Sequence, residues 1–131
     1  MRNYLAVFIG GGFGAVARFA VSAAVSRYDF FGVPLGTFLV NVTGSLLLGF
    51  CLSLFESALV PVPFRTFVTI GFFGAYTTFS TYTVETVRLI EQRQYLPAVL
   101  NFMFNNIFGF LAVLAGFVLS GVLLKALRGG V

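Results

Sequence analysis

The chain has 131 residues, of which 59% are hydrophobic and only 9% charged, with a mean hydropathy of +1.00. A soluble domain carries about a quarter charged residues, so this composition describes a small integral membrane protein of one domain, 1–131. One cysteine, Cys51, and no histidine exclude an internal disulfide and a histidine-based zinc site; the net charge of +4 comes from single basic residues at span ends, which excludes a nucleic-acid patch.

The first expected span is 4–25, long enough to cross a hydrocarbon core of roughly 30 Å. Its opening resembles a signal peptide, but Gly10, Gly11, Gly12 and Gly14 interrupt the apolar region and Arg18 follows within the same stretch. Gly10 and Gly14 form a GxxxG pair for close helix approach, or are two of the glycines common in membrane helices. Arg18 is the one charge well inside an apolar run, read either as a vestibule charge that concentrates anions or as a side chain snorkelling to the interface.

A short loop with Arg27 and Asp29 leads to the second span, 33–55, with Pro34 placed for its first turn. Thr37, Asn41 and Ser45 recur at i, i+4, i+8 and so share one helical face. This is a polar stripe at membrane depth. Asn41 is its informative member: its amide either donates to an anion or makes an interhelical hydrogen bond.

After a loop closed by Pro61 and Pro63, the third span is expected over 66–90. At its centre, 71–85 reads GFFGAYTTFSTYTVE, with Thr77, Thr78, Ser80, Thr81 and Thr83 among glycines and aromatic residues. So weak a helix at membrane depth has to be buried in protein or border a water-filled path, and we expect it to be broken. Glu85 is either a vestibule group or an interfacial partner of Arg88 at i, i+3. The fourth span is 95–124, where Phe102, Asn106 and Phe110 share a face and Asn101 and Asn105 lie on an adjacent one. Phenylalanines at this spacing suit lipid or core packing, and Asn106 favours a face beside the same path over either.

The expected fold is therefore an all-α membrane protein of four transmembrane helices, the third broken. Arg2, Arg65, Lys125 and Arg128 lie on one side; Arg27, Arg88 and Arg93, with Arg18 as a possible fourth, lie on the other. Orientation follows the excess of Lys and Arg, and here there is almost none. Two copies inserted in opposite orientations, paired about an axis in the membrane plane, become possible. No catalytic set exists, so an enzyme is not expected. A pathway of hydroxyls, amides and aromatic ring edges suits an anion, and freed carbonyls at a helix break suit a cation.

At GFFGAYTTFSTYTVE, together with GAVARF around Arg18 and GTFLVN at 36–41, the chain resembles the bacterial fluoride channel family, CrcB or Fluc, over its whole length. The resemblance implies a dual-topology, antiparallel homodimer in the cell membrane, with two fluoride pores passively exporting fluoride and a structural sodium ion at its centre. It implies that Asn41 lines the pore, that Phe79 and Tyr82 form its aromatic box, and that Ser80 and Thr81 supply hydroxyls. Thr37 and Asn106 fall on the family's polar track, and backbone carbonyls of Gly74 and Thr77 hold the sodium. Two positions depart from the pattern: Tyr82 stands where phenylalanine is usual, and Phe110 where a serine is expected. A heterodimer with a homologous, diverged subunit is the second arrangement the family implies. A dual-topology drug exporter of the small multidrug resistance type is the competing reading, and it requires an acidic residue in the first span, where this chain has Arg18.

Overall fold

Glycine decides where these helices touch. The computed structural model describes residues 1–25, 27–57 and 59–129. Helix α1 (Arg2–Val25) buries Gly10 and Gly14 against a π-helical segment, Phe67–Phe73. A Cβ on Gly10 would strike the Phe67 carbonyl oxygen, and one on Gly14 the Phe72 carbonyl oxygen. The facing residue is Gly71, whose own added Cβ would lie 3.0 Å from the Gly10 Cα. Backbone therefore meets backbone, which only small residues permit.

The chain then reverses through Phe31 (φ 53°) and Gly32 (φ 77°). That turn pairs β1 (Asp29–Phe30) with β2 (Val33–Pro34) in a two-residue antiparallel ladder. Val33 and Pro34, expected inside the second span, belong to this ladder, and α2 (Leu35–Ser57) starts after them. Helix α2 packs most extensively on the long last helix, α6 (Tyr95–Arg128). The contact again runs through glycine: a Cβ on Gly49 would lie 2.5 Å from the Val113 carbonyl oxygen, and one on Gly116 would lie 2.7 Å from the Phe50 amide. Helix α6 continues to Arg128, past the expected end of the fourth span at 124; 130 and 131 lie outside the described residues.

Between these pairs the chain from 62 to 91 is divided. It comprises α3 (Val62–Thr66), the π-helical segment, α4 (Gly74–Tyr76), an extended step at Thr77 and Thr78, and α5 (Phe79–Glu91). Arg93, at φ 59°, closes α5 while the Gln94 amide reaches back to the Leu89 carbonyl, a left-handed C-terminal cap. A small core of Val40, Phe73 and Tyr76 holds the break against α2, and the Tyr76 hydroxyl lies 3.1 Å from Thr43 Oγ1.

Three helices, α1, α2 and α6, are long and apolar enough to cross a membrane. With the short ladder as the only strand pairing among the described residues, the protein is an all-α membrane protein of the multi-pass kind. The third expected span, 66–90, is not a single helix, and its pieces are each too short to qualify alone.

Candidate functional site

The break at Thr77 and Thr78 is where the polar residues of three helices converge. Thr77 (ψ 153°) and Thr78 (φ −144°, ψ 112°) are extended, so the Thr78 amide turns away from the Gly74 carbonyl that it would bond in a continuous helix. It donates instead to Asn41 Oδ1 at 2.8 Å. Asn41 Nδ2 in turn donates to the Thr78 carbonyl at 3.1 Å and to Asn105 Oδ1 at 2.8 Å. The Asn41 side chain thus replaces the missing helical neighbour on both sides of one peptide unit. Beyond the break Thr78 caps α5, its Oγ1 accepting from the Thr81 amide at 3.3 Å. On the other side Thr77 Oγ1 donates to the Phe73 carbonyl at 2.9 Å.

Two cavities flank this clamp. A groove of about 380 Å³ is lined by Asn41, Ser45, Thr77, Thr78, Phe79 and Tyr82 from one side and by Asn105, Asn106, Gly109 and Phe110 of α6 from the other. A smaller cavity of about 260 Å³ is lined by Ser22, Tyr28, Thr37, Thr81 and Glu85. The hydroxyls of Thr78 and Thr81, one in each lining, lie 2.9 Å apart. The stripe on α2 is divided the same way, Thr37 in the small cavity and Asn41 with Ser45 in the groove.

Both Asn41 amide hydrogens are engaged with protein, so Asn41 lines the groove as a clamp and has no free donor to turn toward an anion. Thr37 Oγ1 donates to Glu85 Oε1 at 2.7 Å and presents only its lone pairs. The second oxygen of Glu85, Oε2, is buried with no partner among the described residues. Asn106 Nδ2 donates one hydrogen to the Phe102 carbonyl at 2.7 Å, which leaves the other for the groove. The first amides of α5, on Phe79 and Ser80, have no intrahelical acceptor, and they carry the positive end of that helix to the groove edge. Phe79 is 73% exposed and meets the buried Tyr82 ring edge to face, 5.0 Å between centroids, so an aromatic edge with its partial positive charge borders the groove.

Of the residues singled out in the sequence, the groove brings together Asn41, Phe79, Tyr82, Asn106 and Thr77, and the small cavity gathers Thr37, Thr81 and Glu85. Ser80 is exposed and lines neither; the half-buried Arg18 on α1 lines neither. Gly74 is exposed, and a Cβ there would meet nothing within 4 Å, so no packing within the chain requires a glycine. The sequence marks Thr78 only as one hydroxyl of the weak stretch and Asn105 only on the face next to Asn106, yet both are central to the clamp. Ala98, Asn101, Asn105, Ala112, Gly116 and Ser120 are the buried residues of α6, and this run of small and amide side chains was the signal that could have marked its inner face.

Comparison with known proteins adds a family. Residues 5–117 match the model of the family described as CrcB-like protein, Camphor Resistance (CrcB). A protein named fluoride-specific ion channel FluC from Hydrogenobaculum sp. (strain Y04AAS1) is 42% identical over 125 residues, covering 92% of this chain and 99% of the relative. One of the same name from Thermococcus kodakarensis is 44% identical over 121 residues, covering 92% and 97%. Another, from Parabacteroides distasonis, is 38% identical over 120 residues, covering 92% and 94%.

Proposed function

The chain belongs to the CrcB-like family, and from that membership we infer that it is a fluoride-specific ion channel of the membrane and not an enzyme. The observation that carries the reading in this molecule is the clamped break itself. Irregular backbone at membrane depth is tolerated where it borders a polar path, and here it separates two polar-lined cavities joined by a pair of threonine hydroxyls. Donors available to an anion are the Ser45 hydroxyl, the second Asn106 hydrogen, one hydroxyl hydrogen of the Thr78 and Thr81 pair, and the ring edges of Phe79 and Tyr82. Many weak contacts of this kind admit an ion and also let it leave.

Transport is passive: fluoride leaves the cytoplasm down its electrochemical gradient, and selectivity over chloride comes from a narrow, donor-rich path that replaces a tight hydration shell. The functional unit is an antiparallel homodimer with two pores. What supports this is the open side of the groove, where Phe79 (73% exposed) and Phe110 (67% exposed) lack neighbours that a second copy supplies. A structural sodium ion at the dimer centre fits the donor set available. The Gly74 carbonyl has lost the Thr78 amide to Asn41, and Gly74 faces open space, so this carbonyl and that of Thr77 are free to hold a cation shared between copies. Such an ion would supply positive charge to these carbonyls.

The test is fluoride efflux from liposomes that hold the purified chain alone, read with a fluoride electrode, with chloride flux measured in parallel. Rapid, fluoride-selective efflux is expected. Comparable chloride flux would overturn the selectivity reading, and no efflux from well-folded protein would replace the homodimer by a pair with a homologous subunit.

A further inference from the structure

We propose that Asn105, supported by Asn101, is a positioning residue that holds the Asn41 clamp and through it the open break. The proposal rests on the channel reading for its consequence in flux, and on hydrogen counting for its structural content.

Asn41 is clamped only if its amide points one way. Turned by half a rotation, its NH2 group would face the Thr78 amide and its oxygen would face Asn105 Oδ1, donor against donor and acceptor against acceptor. The orientation is thus set by which atom Asn105 presents, and Asn105 has no freedom of its own. Its Nδ2 donates to the Asn101 carbonyl and to Asn101 Oδ1, both at 3.0 Å. That leaves Oδ1 as the atom turned to Asn41. Asn101 is fixed in the same manner, its Nδ2 donating to Thr86 Oγ1 at 2.9 Å and to the Tyr82 carbonyl at 3.3 Å on α5.

Asn105 is 7% exposed and Asn101 fully buried, so neither exchanges these partners for water. The chain of amides runs from α5 through α6 to α2 and ends on the broken peptide unit. It ties the two walls of the groove to the break in one register. Asn105 borders the groove with both its hydrogens committed, so it acts on a passing ion only through Asn41. A buried network that is fully satisfied specifies one arrangement, and removing a single member orphans its neighbours.

The experiment compares the full-length wild type with Asn105→Leu, Asn41→Leu and the double variant in two readouts. Hydrogen exchange over residues 73–82, in protein shown to be folded by size exclusion, does not depend on conduction. Loss of the Asn41 orientation should raise the exchange rate in Asn105→Leu by about tenfold, the size expected for one lost buried hydrogen bond, while exchange over α1 stays unchanged. In fluoride efflux per folded protein, Asn105→Leu should fall by about tenfold and the double variant should lose no more than Asn41→Leu alone, since both act on one clamp. Wild-type exchange in Asn105→Leu overturns the proposal whether or not the chain conducts. Flux losses that multiply in the double variant overturn it too, by making Asn105 an independent lining residue. Should Asn105→Leu fail to fold, Asn105→Asp decides. Its second carboxyl oxygen faces the two Asn101 acceptors, so unchanged exchange over 73–82 at neutral pH would overturn the proposal, and raised exchange would uphold it. Absence of fluoride efflux in wild type counts against the channel reading and leaves the exchange result standing.

Discussion

Asn41 and Phe79 border the same groove for opposite reasons, and substitution separates them. Asn41 has no exposed role left: each of its polar atoms meets a protein partner between 2.8 and 3.1 Å away. In Asn41→Asp an oxygen replaces Nδ2 and confronts the Thr78 carbonyl and Asn105 Oδ1, acceptor against acceptor, and a negative charge is added beside the proposed anion path. Orphaned buried groups cost about 1–3 kcal/mol each, so fluoride efflux should fall by roughly tenfold to a hundredfold. Phe79 packs edge-on to Tyr82 and little else, being 73% exposed. Phe79→Ile removes the ring edge without opening a buried void, so efflux should fall several-fold, on the order of the 0.5–1.5 kcal/mol of an aromatic pair, with an unchanged size-exclusion profile. Normal efflux in both variants would remove these two residues from the pore. The periodicity of the sequence was enough to find Asn41, because i, i+4, i+8 fixes a face without any knowledge of neighbours. It was not enough for Asn105, since Asn101, Asn105 and Asn106 are equally polar and only packing decides which of them turns inward. That packing is set by the close approach at Gly116, which buries the Asn105 side of α6 and leaves Asn106 bonded to its own helix.

At the scale of elements, the close contact of α1 with the π-helical segment makes glycine position matter more than glycine number. Gly14 lies with its Cα against the Phe72 backbone, where an added Cβ would strike the carbonyl oxygen; Gly12, two residues away, has nothing within 4 Å. Gly14→Ala should therefore destabilise the fold by about 1–3 kcal/mol, the usual cost of overpacking. Gly12→Ala should be neutral or slightly stabilising through helix propensity, a gain of at most about 1 kcal/mol. Thermal denaturation in detergent distinguishes them, and equal loss in both would mean that this interface is not what positions the π-helical segment. The same elements show where sequence reading stops. Hydroxyls and glycines over 71–85 announced a weak helix, and the extended step at Thr77 and Thr78 lies inside that stretch. The π-helical turns before it carried no such mark, because FVTIGFF is ordinary apolar sequence and the glycines it packs against, Gly10 and Gly14, lie far away in the chain. The short ladder after α1 was hidden likewise, since Val33 and Pro34 suit a helix start as well as a turn whose reversal depends on Phe31 at positive φ.

For the whole molecule, the open groove and the balanced charge bear on one question, how copies would meet in the antiparallel unit proposed above. Phe110 on the rim of the groove is exposed, as are Phe102 and Phe117 elsewhere on α6, so one chain leaves an apolar surface on this helix uncovered. With Arg2, Arg65, Lys125 and Arg128 set against Arg27, Arg88 and Arg93, or against these with Arg18, a single chain has almost no charge reason to prefer either orientation. Three lysines added after Val131 break that balance, lie outside every contact described above, and should drive nearly all copies into one orientation. If the conducting unit is antiparallel, this variant alone should lose fluoride efflux at wild-type expression. A second variant, biased the opposite way by lysines in the Arg27 to Gly32 loop, should be equally silent, and the two expressed together should recover it. Labelling of a cysteine placed at the C-terminus, from each side of the membrane, reports the orientation directly. Full efflux from a chain shown to sit in one orientation would mean that its partners lie parallel, and the groove would then have to be closed by the same face of a neighbour rather than by its inverse.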